Sequence, residues 1–167
     1  IWTDSNQWIL THNKENIWKN IVILTAIELE EWINQHPNIA LWLAEKLNKT
    51  KQYGVETIDQ WWDKWSKGYQ FTIPTSLILA GREKETNQIV EACKYNRNIY
   101  IESQSQKESI AFIIASIIQS NTILREKAIF VNTKEAFDLI TKNYHNIIII
   151  TDVIELSTPI TINNHTY

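Results

Sequence analysis

Glycine is scarce in this chain, with three residues; proline also has three, cysteine one, and methionine none. Each shortage removes a class of protein. Cys93, the only cysteine, can build neither a disulfide framework nor a thiolate zinc cluster, which fits a reducing compartment and makes the cytoplasm the expected location. No glycine follows Gly81, so the second half lacks the residue that lets consecutive N–H groups converge on a phosphate. No apolar run reaches the ~18 residues of a membrane span, and the opening residues IWTDSNQW carry neither a charged start nor an apolar signal core, so no membrane partner is expected. Sixteen basic against nineteen acidic side chains give a net charge of −3, and no overall positive field draws the chain to nucleic acid. The chain begins at Ile1 with no methionine, and reads as a piece of a longer polypeptide.

What is present is apolar and unevenly distributed. Hydrophobic residues make up 44% of the 167 positions, ample for a packed core. All eight tryptophans lie between Trp2 and Trp65, whereas isoleucine dominates the second half. This shift divides the chain into residues 1–50, the end of one α/β module; 51–75, a helical connector; and 76–167, a second α/β domain. The expected fold class is α/β, a Trp-rich helical segment followed by a parallel sheet with alternating helices.

In order, residues 4–15 read as a helix and Asn20 to Leu24, NIVIL, as a short strand. Thr25 and Glu28 form a capping box for a helix whose apolar face is Leu29, Trp32 and Ile33. Pro37 suits the first turn of the next helix, with Ala40, Leu43, Ala44 and Leu47 on one side. Thr57 and Gln60 cap a third helix bearing Ile58, Trp61, Trp62 and Trp65, and Gly68 ends it. Tyr69 to Ile73 looks extended, Pro74 restarts a short helix, and Arg82 to Asn96 is a helix with Ile89, Val90 and Cys93 on its apolar side. The rest alternates: strand Ile99–Glu102, helix Gln106–Gln119, strand Ala128–Val131, helix Lys134–Asn143 and strand Ile147–Thr151, with Thr161–Tyr167 starting a further strand. Strands alternating with helices of this length argue for a parallel sheet covered on both faces. The frequent asparagines read as a genomic bias.

The turn Ser103 to Ser109 stands where a phosphate loop would, and its candidate nucleotide-binding residues are Ser105, Lys107 and Ser109. The pattern G-x-x-x-x-G-K-[ST] ending at Ser109 would need glycines at Glu102 and Lys107 and a lysine at Glu108, so only the hydroxyl survives. A carboxylate facing triphosphate is repulsive. The structural alternative is that Ser105 and Glu108 cap the following helix, although a helix N-terminus can still accept an anion without glycine. Asp152 follows four isoleucines at a strand's carboxyl end, where a magnesium-binding aspartate would sit, or is the first polar residue after a buried strand. ATP and magnesium are therefore disfavoured, and no cofactor is expected.

Trp61, Trp62, Lys64 and Lys67 are candidates for stacking on bases and meeting phosphates; the same tryptophan spacing is that of a core-facing helix. His12, His36, His145 and His165 show no metal-ligand spacing, no G-x-S-x-G occurs, and Cys93 lies on an apolar helix side, so neither a metal site nor nucleophilic catalysis is indicated. Asn48-Lys49-Thr50 and Asn164-His165-Thr166 match the glycosylation pattern without a secretory signal beside it, and read as chance.

Gly81-Arg82-Glu83 before a helix, then Ile99-Tyr100-Ile101, a polar turn, a helix and Ile147 to Asp152 resemble the opening half of a P-loop ATPase of the signal-transduction (STAND/AAA-like) type, over roughly residues 76–155. The resemblance implies a truncated P-loop-like topology with its most specific motif missing. Trp18, Asn20 to Leu24, Leu29-Glu30-Glu31-Trp32-Ile33 and Trp42-Leu43-Ala44 are similar to the tail of restriction-endonuclease-like modules that precede such domains in large bacterial proteins. That similarity implies catalytic carboxylates and a lysine upstream of Ile1. Three functions follow: a non-catalytic scaffold or sensor segment of a defence or regulatory protein, a fragment of a nucleic-acid-processing enzyme, or a protein-interaction domain. The partners implied are the rest of a longer polypeptide, a second copy in a homo-oligomer, and nucleic acid through the upstream module.

Overall fold

The computed structural model describes residues 5–13, 21–49, 53–101 and 103–153. The chain divides into two compact units, Ile1–Trp32 and Ile33–Tyr167.

In the first unit lie α1 (Ser5–His12) and the start of α2 (Ala26–Asn34). Trp8 stacks on His12 one turn on, with ring centroids 4.1 Å apart. The expected capping box at α2 forms: Thr25 N–H donates to Glu28 Oε2 at 2.7 Å, and Glu28 N–H to Thr25 Oγ1 at 3.2 Å. The backbone bond from Thr25 holds the Glu28 carboxyl below its ordinary value, because it favours the charged form. The expected apolar face of α2 is not buried: Leu29 and Trp32 stay exposed, and no residue of the helix is buried. Nor does the expected strand form, for residues 21–25 are irregular and Asn20 lies outside the described residues. A short β-branched run needs a neighbouring strand to satisfy its backbone, and among the described residues none pairs with it.

The second unit holds α3 (Pro37–Lys46), β1 (Val55–Thr57), α4 (Ile58–Ser66), α5 (Thr75–Leu79), α6 (Glu83–Lys94), α7 (Gln106–Ser120), α8 (Thr122–Lys127), β2 (Ala128–Val131), α9 (Lys134–Asn143) and β3 (Ile148–Thr151). It is a mixed α/β unit, mostly helical, around a sheet whose strands among the described residues are three, in the order β1-β2-β3. Strands β2 and β3 run parallel with Ile129 opposite Ile149, joined by α9 as the crossover. Strand β1 is antiparallel to β2, with Thr57 opposite Ile129, which departs from the all-parallel series expected.

The isoleucine run is explained by helices on both faces. Ile148 and Ile150 face a cluster with Ile110, Ile114 and Ile117 of α7 and Ile58 of α4, while Ile147 and Ile149 face Ala136, Phe137 and Ile140 of α9. Successive residues of a strand point to opposite faces, so a strand covered twice is apolar throughout. Helix α7 is apolar nearly all round for a related reason, with Ile110 to Phe112 and Ile114 to Ile117 buried. Its one buried hydroxyl, Ser116 Oγ, donates to Phe112 O at 2.7 Å. Ile99 to Ile101 form no strand, and Glu102 lies outside the described residues. The reason is again pairing: among the described residues β3 has a strand neighbour on its β2 side only. Tyr69 to Ile73 is a bend rather than a strand, folded back so that Ile73 N–H donates to Ser66 O at 3.2 Å. Thr161–Tyr167 lies outside the described residues.

Asparagine does here what glycine does elsewhere. Among the described residues, the non-glycine ones at positive φ are Asn48, Asn96 and Asn146. Asn96 closes α6 with the paired bonds of a Schellman turn, Arg97 N–H to Ala92 O at 2.9 Å and Asn96 N–H to Cys93 O at 3.5 Å. Asn48 closes α3 in the same way through Lys49 N–H to Ala44 O and its own N–H to Glu45 O. Asparagine tolerates the left-handed conformation better than other side chains do. Gly54, at φ +79, is a true glycine position, since an added Cβ would collide with Thr133 Oγ1.

Candidate functional site

The turn before α7 is held by hydroxyls. Ser105, in extended conformation at the N-cap, accepts from Glu108 N–H at 3.4 Å. The reciprocal half of the expected capping box is replaced: Ser105 N–H donates to Ser103 Oγ at 3.2 Å rather than to the Glu108 carboxylate. Ser103 Oγ lies 2.5 Å from Ser109 Oγ, and Ser109 Oγ donates to Ser105 O at 3.3 Å. Three serines are thus meshed with one another across the first turn of the helix. Lys107 is exposed beside them.

This turn adjoins the second candidate. Gln106 Nε2 donates to Asp152 O at 3.1 Å, tying the start of α7 to the carboxyl end of β3. Thr151 Oγ1 accepts from Val153 N–H at 3.2 Å. Ser105, Lys107, Ser109 and Asp152 therefore share one end of the sheet. Gly81-Arg82-Glu83 connects from another side: Gly81 takes φ +72, and the Arg82 guanidinium lies 5.4 Å from the centre of the Phe112 ring on α7. A cation over an aromatic face is attracted by the ring quadrupole.

Trp61, Trp62 and Lys64 lie on α4, which begins with a complete capping box between Thr57 and Gln60, and Lys67 follows as its C-cap. Trp61 stacks on Trp65 at 6.0 Å and tilts against Phe130 of β2 at 5.7 Å. Trp62 meets Trp65 at 5.4 Å, and Trp65 meets Tyr69 edge-on at 5.6 Å. Both Trp61 and Trp62 pack on the cluster around α7. The lysines are engaged within the chain, Lys64 with Glu56 at 2.8 Å and Lys67 with Asp63 at 2.6 Å.

Among the described residues no group of three or more His, Cys, Asp or Glu side chains could hold a metal ion. No described helix is long and apolar enough to cross a membrane. Cys93 is 5% exposed, and burial pushes its thiol up to about 11, far from the thiolate a nucleophile requires.

A polar cluster with no local signature in the sequence ties α3, α4 and α8 together. Arg125 grips Asp59 through both Nε and a terminal nitrogen, the Nε bond being 3.1 Å. Asn38 Nδ2 donates to Asp59 Oδ2 at 3.3 Å and to Arg125 O at 3.1 Å, and Gln60 Nε2 to Glu45 Oε2 at 2.6 Å. Beside it lies an open groove of about 430 Å³ bordered by Asn38, Trp42, Glu45 and Gln60. A second groove, of about 510 Å³, runs between α6 and the irregular segment through Ile99 and Ile101, with Phe112 at its base.

Comparison with protein-family models, curated proteins and solved structures gave no match, so the reading of the site rests on its own residues.

Proposed function

We propose that the chain carries the opening half of a nucleotide-binding-like α/β domain of P-loop topology whose phosphate site has been lost, and that it serves as a non-catalytic scaffold or sensor segment of a larger bacterial defence or regulatory protein. The observation that carries this reading is the bond from Gln106 to Asp152 O, which sets the start of α7 against the carboxyl end of a buried parallel strand. Open parallel sheets gather their ligands at that edge. In support of lost chemistry, the hydroxyls of Ser103, Ser105 and Ser109 bond one another and the backbone. In addition, Glu108 stands where a triphosphate would need a cation. Isothermal titration with ATP and magnesium tests the proposal. No sub-millimolar binding is expected; binding in that range, with turnover abolished by Asp152→Ala, overturns it.

A protein-interaction role for the unit Ile1–Trp32 is favoured by a separate observation, the exposure of Trp8, Leu10, Leu24, Ile27 and Leu29. Apolar side chains displayed so densely mark an interaction surface. Sedimentation of the whole chain tests this second reading, with self-association that weakens on Ile27→Ser as the expected result and an unchanged monomer as the contrary one.

A further inference from the structure

We draw no further inference here: the strongest candidate, the edge of β3 that pairs with no strand among the described residues, carries none because nothing in the structure shows what covers that edge.

Discussion

Replacing Trp61 by alanine separates a packing role from a ligand-contacting one. The indole is wedged between Phe130 on β2 and Trp65 one turn along α4, and it covers a cluster whose centre includes Ile58 and Ile114. Truncating a buried Trp costs about 3–5 kcal/mol, and an aromatic pair contributes about 0.5–1.5 kcal/mol beyond its area. Because Trp61 is only partly buried, the lower end applies, and a loss of roughly 3 kcal/mol is expected. For a unit of this size that corresponds to a melting temperature lower by about 10 °C. Far-UV circular dichroism is the suitable probe, since eight tryptophans confuse fluorescence. Trp42→Ala is the internal control, because Trp42 is 52% exposed and should cost under about 1 kcal/mol. Equal losses for the two variants, or a Trp61→Ala loss under about 1 kcal/mol, would refute the packing argument.

Three further outcomes follow from particular contacts. Gly54→Ala forces a side chain into the left-handed region and against Thr133, the N-cap of α9; a loss of at least about 1–2 kcal/mol is expected in urea denaturation, and a neutral result contradicts the close approach. Asn96→Gly keeps the Schellman turn of α6 and relieves the Cβ penalty at φ +51, so a midpoint shifted upward by up to about 1 kcal/mol is expected, and a clear loss would show that the asparagine side chain matters. The buried Cys93 thiol is raised to about 11, so the folded state holds that proton more tightly than the unfolded chain. Its contribution is fully present below the unfolded pKa near 9 and is lost as pH rises toward 11. Urea midpoints should therefore fall more steeply between these limits for the unsubstituted chain than for Cys93→Ala, and parallel profiles would count against burial of the thiol.

The elements read best from sequence were those with a local cause. Helix α9 has a capping threonine, Thr133, and a clear apolar face in Ala136, Phe137 and Ile140, and both its ends fall where the pattern puts them. Strand β2, AIFV, is likewise bounded as expected because both its faces are covered. Strand β1 was missed because three residues, Val55 to Thr57, are too short to show alternation; it exists because β2 offers a free edge. Residues 21–24 and 99–101, conversely, have strand-like composition but, among the described residues, no strand to pair with. At the candidate site the two halves were each visible as residues, and the bond joining Gln106 to Asp152 expresses their place in the topology. The Asp59–Arg125–Asn38 cluster was not legible, since its members are 66 and 87 positions apart and no local rule couples them. Nor was the use of asparagine as a helix terminator, which composition alone presents as bias.

The antiparallel placement of β1 has a consequence for how the chain can be divided. Composition suggested a cut near residue 75, yet Thr57 pairs with Ile129 and Trp61 covers Phe130, so both sides of that cut contribute to one sheet and one core. Joining residues so far apart carries a closure entropy of roughly 4 kcal/mol, against about 3 kcal/mol for the shorter β2-α9-β3 link. The parallel pair thus closes at the lower entropic cost. A recombinant chain begun at residue 76 would leave the outer edge of β2 unpaired and Phe130 bare, an invitation to aggregate, whereas one begun at Ile33 keeps the sheet whole.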